Sequence, residues 1–219
     1  MNKQRFDIYF EDNHLLVINK PSGLLSQGGP QGEDHLVAQL QEYLGRPYVG
    51  LVHRLDRNVS GIMVVAKRTK AAKRLTEALQ SGKLCRHYLA WVHGVIETPI
   101  EWIDFLLKDS QKNKTTVVPK GTPESKKAIL RGKPIKTKSI FGTQWTLLEI
   151  ELETGRSHQI RVQLQHHGHP LLGDPKYGKS NFPFHRPALH SHWIEFPHPK
   201  TQKRISFKSP LPDEISFHS

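Results

Sequence analysis

Two short stretches of the chain concentrate residues able to do chemistry. In VHRLDRNVSGIMVVAK, residues 52–67, Asp56 stands between Arg54 and Arg57, with Ser60-Gly61 and an apolar β-branched run, Ile62 to Val65, close behind. Guanidinium groups beside a carboxylate stabilise its charged form. A carboxylate held that way suits nucleophilic or base chemistry rather than proton donation. The same residues also describe a plain Arg–Asp ion pair closing a turn ahead of a core strand. In LETGRSHQIRVQLQHHGHPLLGDPKYG, residues 152–178, Ser157 is placed to cap a helix whose first turn is crowded by Arg156, His158, Gln159 and Arg161. A helix N-terminus already favours anions, so cations loaded there make a receptor for phosphate or carboxylate. Those cations work against the helix dipole, and a local cost of that kind points towards function. Gly173-Asp174-Pro175 reads as a tight turn with no chemical role.

Other chemistries find no support. The glycine-rich SGLLSQGGPQGED has neither the Gly-Lys-Ser/Thr ending of a phosphate loop nor G-x-G-x-x-G spacing, and no G-x-S-x-G surrounds a serine. Fourteen histidines, with His166, His167 and His169 close together and His190 near His192, invite a metal. There is no H-E-x-x-H, however, and Cys85 has no second cysteine to complete a zinc site, so no metal is expected.

The elements that must position these residues follow from periodicity. Phe6, Ile8 and Phe10 alternate with Asp7 and Tyr9, and Leu148, Ile150 and Leu152 alternate with Glu149, Glu151 and Glu153, the period of a half-buried strand. Further strands are expected at Leu15 to Asn19, Ile62 to Ala66, Tyr88 to Val95, Leu189 to Phe196 and Arg204 to Lys208. Helical spacing runs through Leu36, Leu40 and Leu44, with Asp34 as N-cap and Gly45 beyond the end, and through Ala71, Leu75 and Leu79 before Gly82. A third helix is expected from Ser157 to Gly168. Strands outnumber helices without strict alternation, which predicts an α+β fold around a largely antiparallel sheet.

The 219 residues suit a single domain spanning 1–219, and 36% hydrophobic residues can supply a core. No apolar run exceeds five residues, whereas a membrane span needs roughly 20, and the first residues carry no apolar signal segment. One cysteine fits a reducing cytoplasm. The net charge of +12 makes a polyanion the expected partner, nucleic acid ahead of a membrane surface. From Lys108 to Lys138, nine lysines and Arg131 face only Asp109 and Glu124, and the interspersed Pro119, Pro123 and Pro134, with short β-prone pieces at Thr115 to Val118 and Ala128 to Leu130, suggest a basic hairpin or arm standing off the body.

Taken together, four motifs resemble those of the RluA-type pseudouridine synthases, in the same order. They are K-P-S-G-L-L (Lys20 to Leu25), H-R-L-D-x-x-x-S-G (His53 to Gly61), Y-L-A-W-V-H-G (Tyr88 to Gly94) and G-R-S-H-Q-I-R (Gly155 to Arg161). H-P-L-L-G-D-P-K-Y-G, L-H-S-H and F-x-x-P-L-P further on are similar too, so the likeness runs from about residue 6 to 213. The resemblance implies the pseudouridine synthase fold, a mixed central sheet flanked by helices and loops. It also implies isomerisation of uridine in tRNA or rRNA to pseudouridine with no cofactor, by a cytoplasmic monomer needing no protein partner. Asp56 would then be the catalytic aspartate, attacking ribose C1′ or taking a proton at C2′; both remain open. Arg161 would pair with it, and Tyr88 would pack on the flipped uracil and act as base at C5. Arg54 would enter the stack that the nucleotide leaves, and Arg156, His158 and Lys20 would contact phosphates or shape the pocket.

Two departures stand out. Val59 replaces the threonine usual in that motif, keeping the β-branched shape without the hydroxyl, and only 19 residues precede Lys20, which suggests a stand-alone catalytic domain. Competing readings are an RNA-binding protein or RNA chaperone on the same scaffold without turnover, and a metal-dependent nucleic-acid hydrolase.

Overall fold

A computed structural model of the protein describes residues 5–28, 33–140, 142–178 and 186–217. In chain order the elements are β1 (Asp7–Glu11), β2 (Leu15–Lys20), α1 (Leu36–Leu44), β3 (Gly50–Leu51), β4 (Ser60–Ala66), α2 (Thr69–Gln80), β5 (Cys85–His93) and β6 (Ile100–Asp109). They continue with β7 (Lys114–Val118), β8 (Lys126–Ile140), β9 (Thr143–Leu152), α3 (Gln159–His166), β10 (Leu189–Pro197), β11 (Arg204–Lys208) and α4 (Asp213–Ser216). The chain divides into two compact units, one formed by residues 1–86 with 190–219 and the other by 87–189.

The first unit is built on β4. Every residue of β4 is buried, because β2 runs antiparallel along one edge while β10, parallel at Ser60 and Gly61, and β3 share the other. Side chains alternate across the sheet, so Leu15 and Val17 join Ile62 and Val64 on one face. There α2 lays down Ala71, Leu75 and Ala78, and Ile194 and Phe196 of β10 complete the cluster. Helix α1 starts one residue later than expected. His35 is its N-cap, with its ring accepting from the Ala38 N–H, while Asp34 accepts from Gln39 Nε2. Gly45 ends it in the left-handed region, as expected.

The second unit is an antiparallel meander in which β9 pairs β5 and β8, and β6 pairs β8 and β7. Leu148 and Ile150 point inwards and are fully buried, matching the alternation seen in the sequence. The basic stretch 108–138 lies within this sheet, not off it. It comprises the end of β6, the turn, β7 and most of the 15-residue β8, with Ala128 and Leu130 fully buried. Its charge is nonetheless outward, since eight of the nine lysines are exposed and Lys138 is half-buried. Helix α3 begins at Gln159, not Ser157. Its N-cap is His158, in the left-handed region at φ 54° with no side-chain cap. Gln159 does the capping in its place: its Oε1 accepts from the Arg156 N–H and from Thr154 Oγ1.

Candidate active site

Residues 52–59 form a loop between β3 and β4, and its contacts explain why it needs so many particular residues. His53 is buried, and its Nε2 accepts the Val64 N–H at 3.2 Å, which ties the loop to the core strand. Burial, and secondarily the charge of Arg86, push the His53 pKa down from 6.5 to about 3, so the ring is a neutral acceptor. Ser26 accepts from the Leu55 N–H at 3.2 Å and donates to the Leu55 carbonyl at 2.6 Å. A turn closes from the Val59 N–H to the Asp56 carbonyl. Leu55 and Val59 are buried on either side of Asp56, which is half-buried, while Arg54 is exposed. A buried Val59 explains why the methyl group is accommodated where a threonine was expected.

The segment 20–26 grips the other side of the loop. Lys20 is fully buried, and its ammonium donates to the carbonyls of Leu24 (2.7 Å), Pro21 (2.9 Å) and Arg57 (3.2 Å). An ammonium has three donors, and three carbonyls at these distances balance the cost of burying it. A group so engaged is no phosphate contact; Lys20 shapes the loop from within, one residue from Asp56. Gly23 and Ser22 add hydrogen bonds to the carbonyls of Arg57 and Asn58. The Arg57 guanidinium, expected beside Asp56, reaches the Gly23 carbonyl and Glu33.

The Ser60-Gly61 pair that follows is dictated by the neighbouring strand. Gly61 has φ +126°, and a Cβ there would lie 2.3 Å from the Ser191 carbonyl oxygen, so only glycine lets β10 come this close. Ser60 Oγ lies 2.9 Å from His190 Nδ1, and His190 Nε2 lies 3.1 Å from Ser209 Oγ, a buried polar chain fastening the exit of the loop.

In the second unit, Arg161 on the first turn of α3 is held by Asp174. Nε donates to Oδ2 at 2.7 Å and a terminal nitrogen to Oδ1 at 2.8 Å, with Asp174 fully buried. Asp174 Oδ1 also accepts the N–H groups of Lys176 and Tyr177. The Tyr177 ring lies 5.1 Å beneath the guanidinium carbon, its hydroxyl accepts from the Thr115 N–H, and it sits 2.9 Å from His158 Nδ1. Burial raises the Tyr177 pKa, opposed by the Thr115 N–H and the Arg161 charge. Arg161, His158, Asp174 and Tyr177 are therefore one wired group, and the turn read as chemically silent supplies its carboxylate. Arg156 is exposed, with Nε on the Lys127 carbonyl. Tyr88 is buried on β5 opposite Ile150.

The family is decided by comparison with known proteins: residues 14–166 match the family model for RNA pseudouridylate synthases. The chain belongs to that family. The synthase is 35% identical over 222 residues to the uncharacterised RNA pseudouridine synthase YlyB of Bacillus subtilis, covering 96% of this chain and 70% of that protein. It is 39% identical over 228 residues to ribosomal large subunit pseudouridine synthase C of Buchnera aphidicola, covering 97% and 68%. Among solved structures, human RNA pseudouridylate synthase domain containing 1 superposes with a TM-score of 0.78 over 96% of the synthase and 86% of that chain, at 22% identity, a likeness of fold. The synthase is thus an isomerase acting on RNA with the α+β pseudouridine synthase fold. No helix among the described residues is long and apolar enough to cross a membrane.

Proposed function

We propose that the synthase isomerises specific uridines in tRNA or ribosomal RNA, with Asp56 as the carboxylate that acts on the ribose. The reaction breaks the bond from N1 to C1′ and rejoins the base through C5, so atoms and electrons balance without a cofactor. It requires a positioned carboxylate, a cation to orient it, a proton acceptor near C5, and a base taken out of its stack. The observation that carries the reading is the clamped loop. Asp56 is half-buried while Lys20, Ser22, Gly23, Ser26 and His53 fix the backbone around it. Such rigidity around an accessible carboxylate is what orientation in a reacting complex needs.

Arg161 is the cation in this reading. Its bidentate pair with Asp174 fixes the guanidinium plane, so the group is oriented before Asp56 is engaged. Tyr88 supplies a ring for the uracil and a phenol oxygen as base. Arg54, exposed beside Asp56, fills the gap in the stack; Arg156 and the lysines of 108–138 grip phosphates, and His158 orders the start of α3. The protein works as a monomer in the cytoplasm. Relatives named for the ribosomal large subunit support rRNA as the first substrate to test. Carbodiimide-dependent primer extension on RNA from cells lacking the gene tests this. A site lost in the deletion and restored by the wild-type chain names the substrate, whereas unchanged tRNA and rRNA profiles would refute the assignment.

A further inference from the structure

Beyond Arg161, α3 runs on to a cluster for which the isomerisation has no use. Trp102 and Asp104 lie two apart on β6 and so leave the same face of the strand. His167, at the end of α3, sits against both: its ring stacks on the Trp102 ring with centroids 4.1 Å apart and planes at 10°, and its Nε2 lies 3.1 Å from Asp104 Oδ2. Gln163, one turn earlier and fully buried, donates Nε2 to the same carboxylate oxygen at 2.7 Å. His166 is exposed, with its ring edge-on to His167 at 5.1 Å. One ligand atom from each of Asp104, His166 and His167 lies within 4.8 Å of the other two.

We propose that Asp104, His166 and His167 bind one divalent transition-metal ion of the zinc or cobalt type, pinning the end of α3 to β6. Two imidazoles and a carboxylate are a donor set that such ions favour over magnesium or calcium, which prefer oxygen alone. The gap between His167 Nε2 and Asp104 Oδ2 is close to the ligand–ligand edge of about 3.4 Å expected for tetrahedral bonds of about 2.1 Å. An ion there replaces one shared hydrogen bond by two coordination bonds. Two of the three ligands are already oriented, His167 by the indole stacked on it and Asp104 by the Gln163 amide, the outer-shell support that metal ligands depend on. The third, His166, is exposed and closes by side-chain rotation. The site also lies at the C-terminal end of a helix, where the backbone dipole favours a cation. The sequence conceals the set because its carboxylate comes from a strand 62 residues before the histidine pair.

The test uses the full chain, stripped of metal by chelator and desalting, then titrated with Co²⁺ by visible absorption and with Zn²⁺ by calorimetry. The wild type is expected to take up one ion per chain with a tetrahedral-type cobalt spectrum, and to melt at a higher temperature with Zn²⁺ present. His166→Ala is expected to weaken binding by at least about tenfold and to abolish the melting shift. Because His166 is exposed, that variant folds, and it decides the matter even if Asp104→Asn is unstable. Absence of one-to-one uptake by the wild type, or equal uptake by His166→Ala, would overturn the proposal.

Discussion

At the residue scale, the sharpest contrast is between two cations that a motif comparison treats alike. Lys20 is spent on three carbonyls inside the first unit, and Arg54 stands exposed on the loop it stabilises. Lys20→Met should therefore cost about 3 kcal/mol in a urea titration, since charge-assisted bonds are lost and buried carbonyls are orphaned. It should leave the salt dependence of RNA binding unchanged. Arg54→Ala should do the reverse, holding stability within about 0.5 kcal/mol and lowering the log–log salt slope by about 0.7–0.9. His53 offers a second prediction, in pH. Its folded pKa of about 3 lies below its ordinary 6.5, so between those values the unfolded chain holds a proton that the folded chain lacks. Stability then rises with pH by about 1.4 kcal/mol per unit through that window and levels off above it. His53→Gln, which can still accept the Val64 N–H, should remove one proton's worth of that slope between pH 5 and 6. What sequence could not show at this scale is partnership: Asp174 looked like a local turn because nothing in Gly-Asp-Pro announces an arginine 13 residues earlier.

At the element scale, strands with an apolar face were readable because alternation survives in them. β2, β4, β10 and β11 appear close to where periodicity puts them. β8 was readable only at Ala128 to Leu130, because Gly132 and Pro134 read as breakers. In the fold Pro134 sits at a register shift in the ladder to β9, where a missing N–H does no harm, and Gly132 makes room for the Ile100 side chain. The start of α3 was misplaced by two residues because a left-handed His158 and a capping Gln159 follow no common capping pattern. The Ser-Gly step after the Asp56 loop was legible as a motif, but its cause is the parallel approach of β10. Gly61→Ala should accordingly cost about 3 kcal/mol or more, combining a left-handed backbone with a clash against the Ser191 backbone. Gly82→Ala, with φ +70° but nothing near its Cβ, should cost only about 1–2 kcal/mol. Chemical denaturation of the two variants checks the difference.

At the scale of the whole molecule, the charge of +12 is organised rather than scattered. The basic stretch was recognised from composition, while its form was not. Prolines and lysines suggested a hairpin or arm standing off the body, yet Ala128, Ile129 and Leu130 are buried within β8 while the lysines on either side of them are exposed. Lysines carried on a sheet are held in fixed places, which is what the proposed grip on RNA phosphates needs. Changing Lys114, Lys120, Lys126 and Lys127 to Gln should lower the salt slope of RNA binding by about three, with little change in stability. The proposed isomerisation nevertheless turns on one carboxylate. Single-turnover conversion of a tritium-labelled RNA substrate by Asp56→Asn measures that directly. We expect the variant to bind RNA as tightly as the wild type and to lose at least about 10³-fold in rate; conversion within tenfold of wild type would contradict the assignment of Asp56 as the group that acts on the ribose.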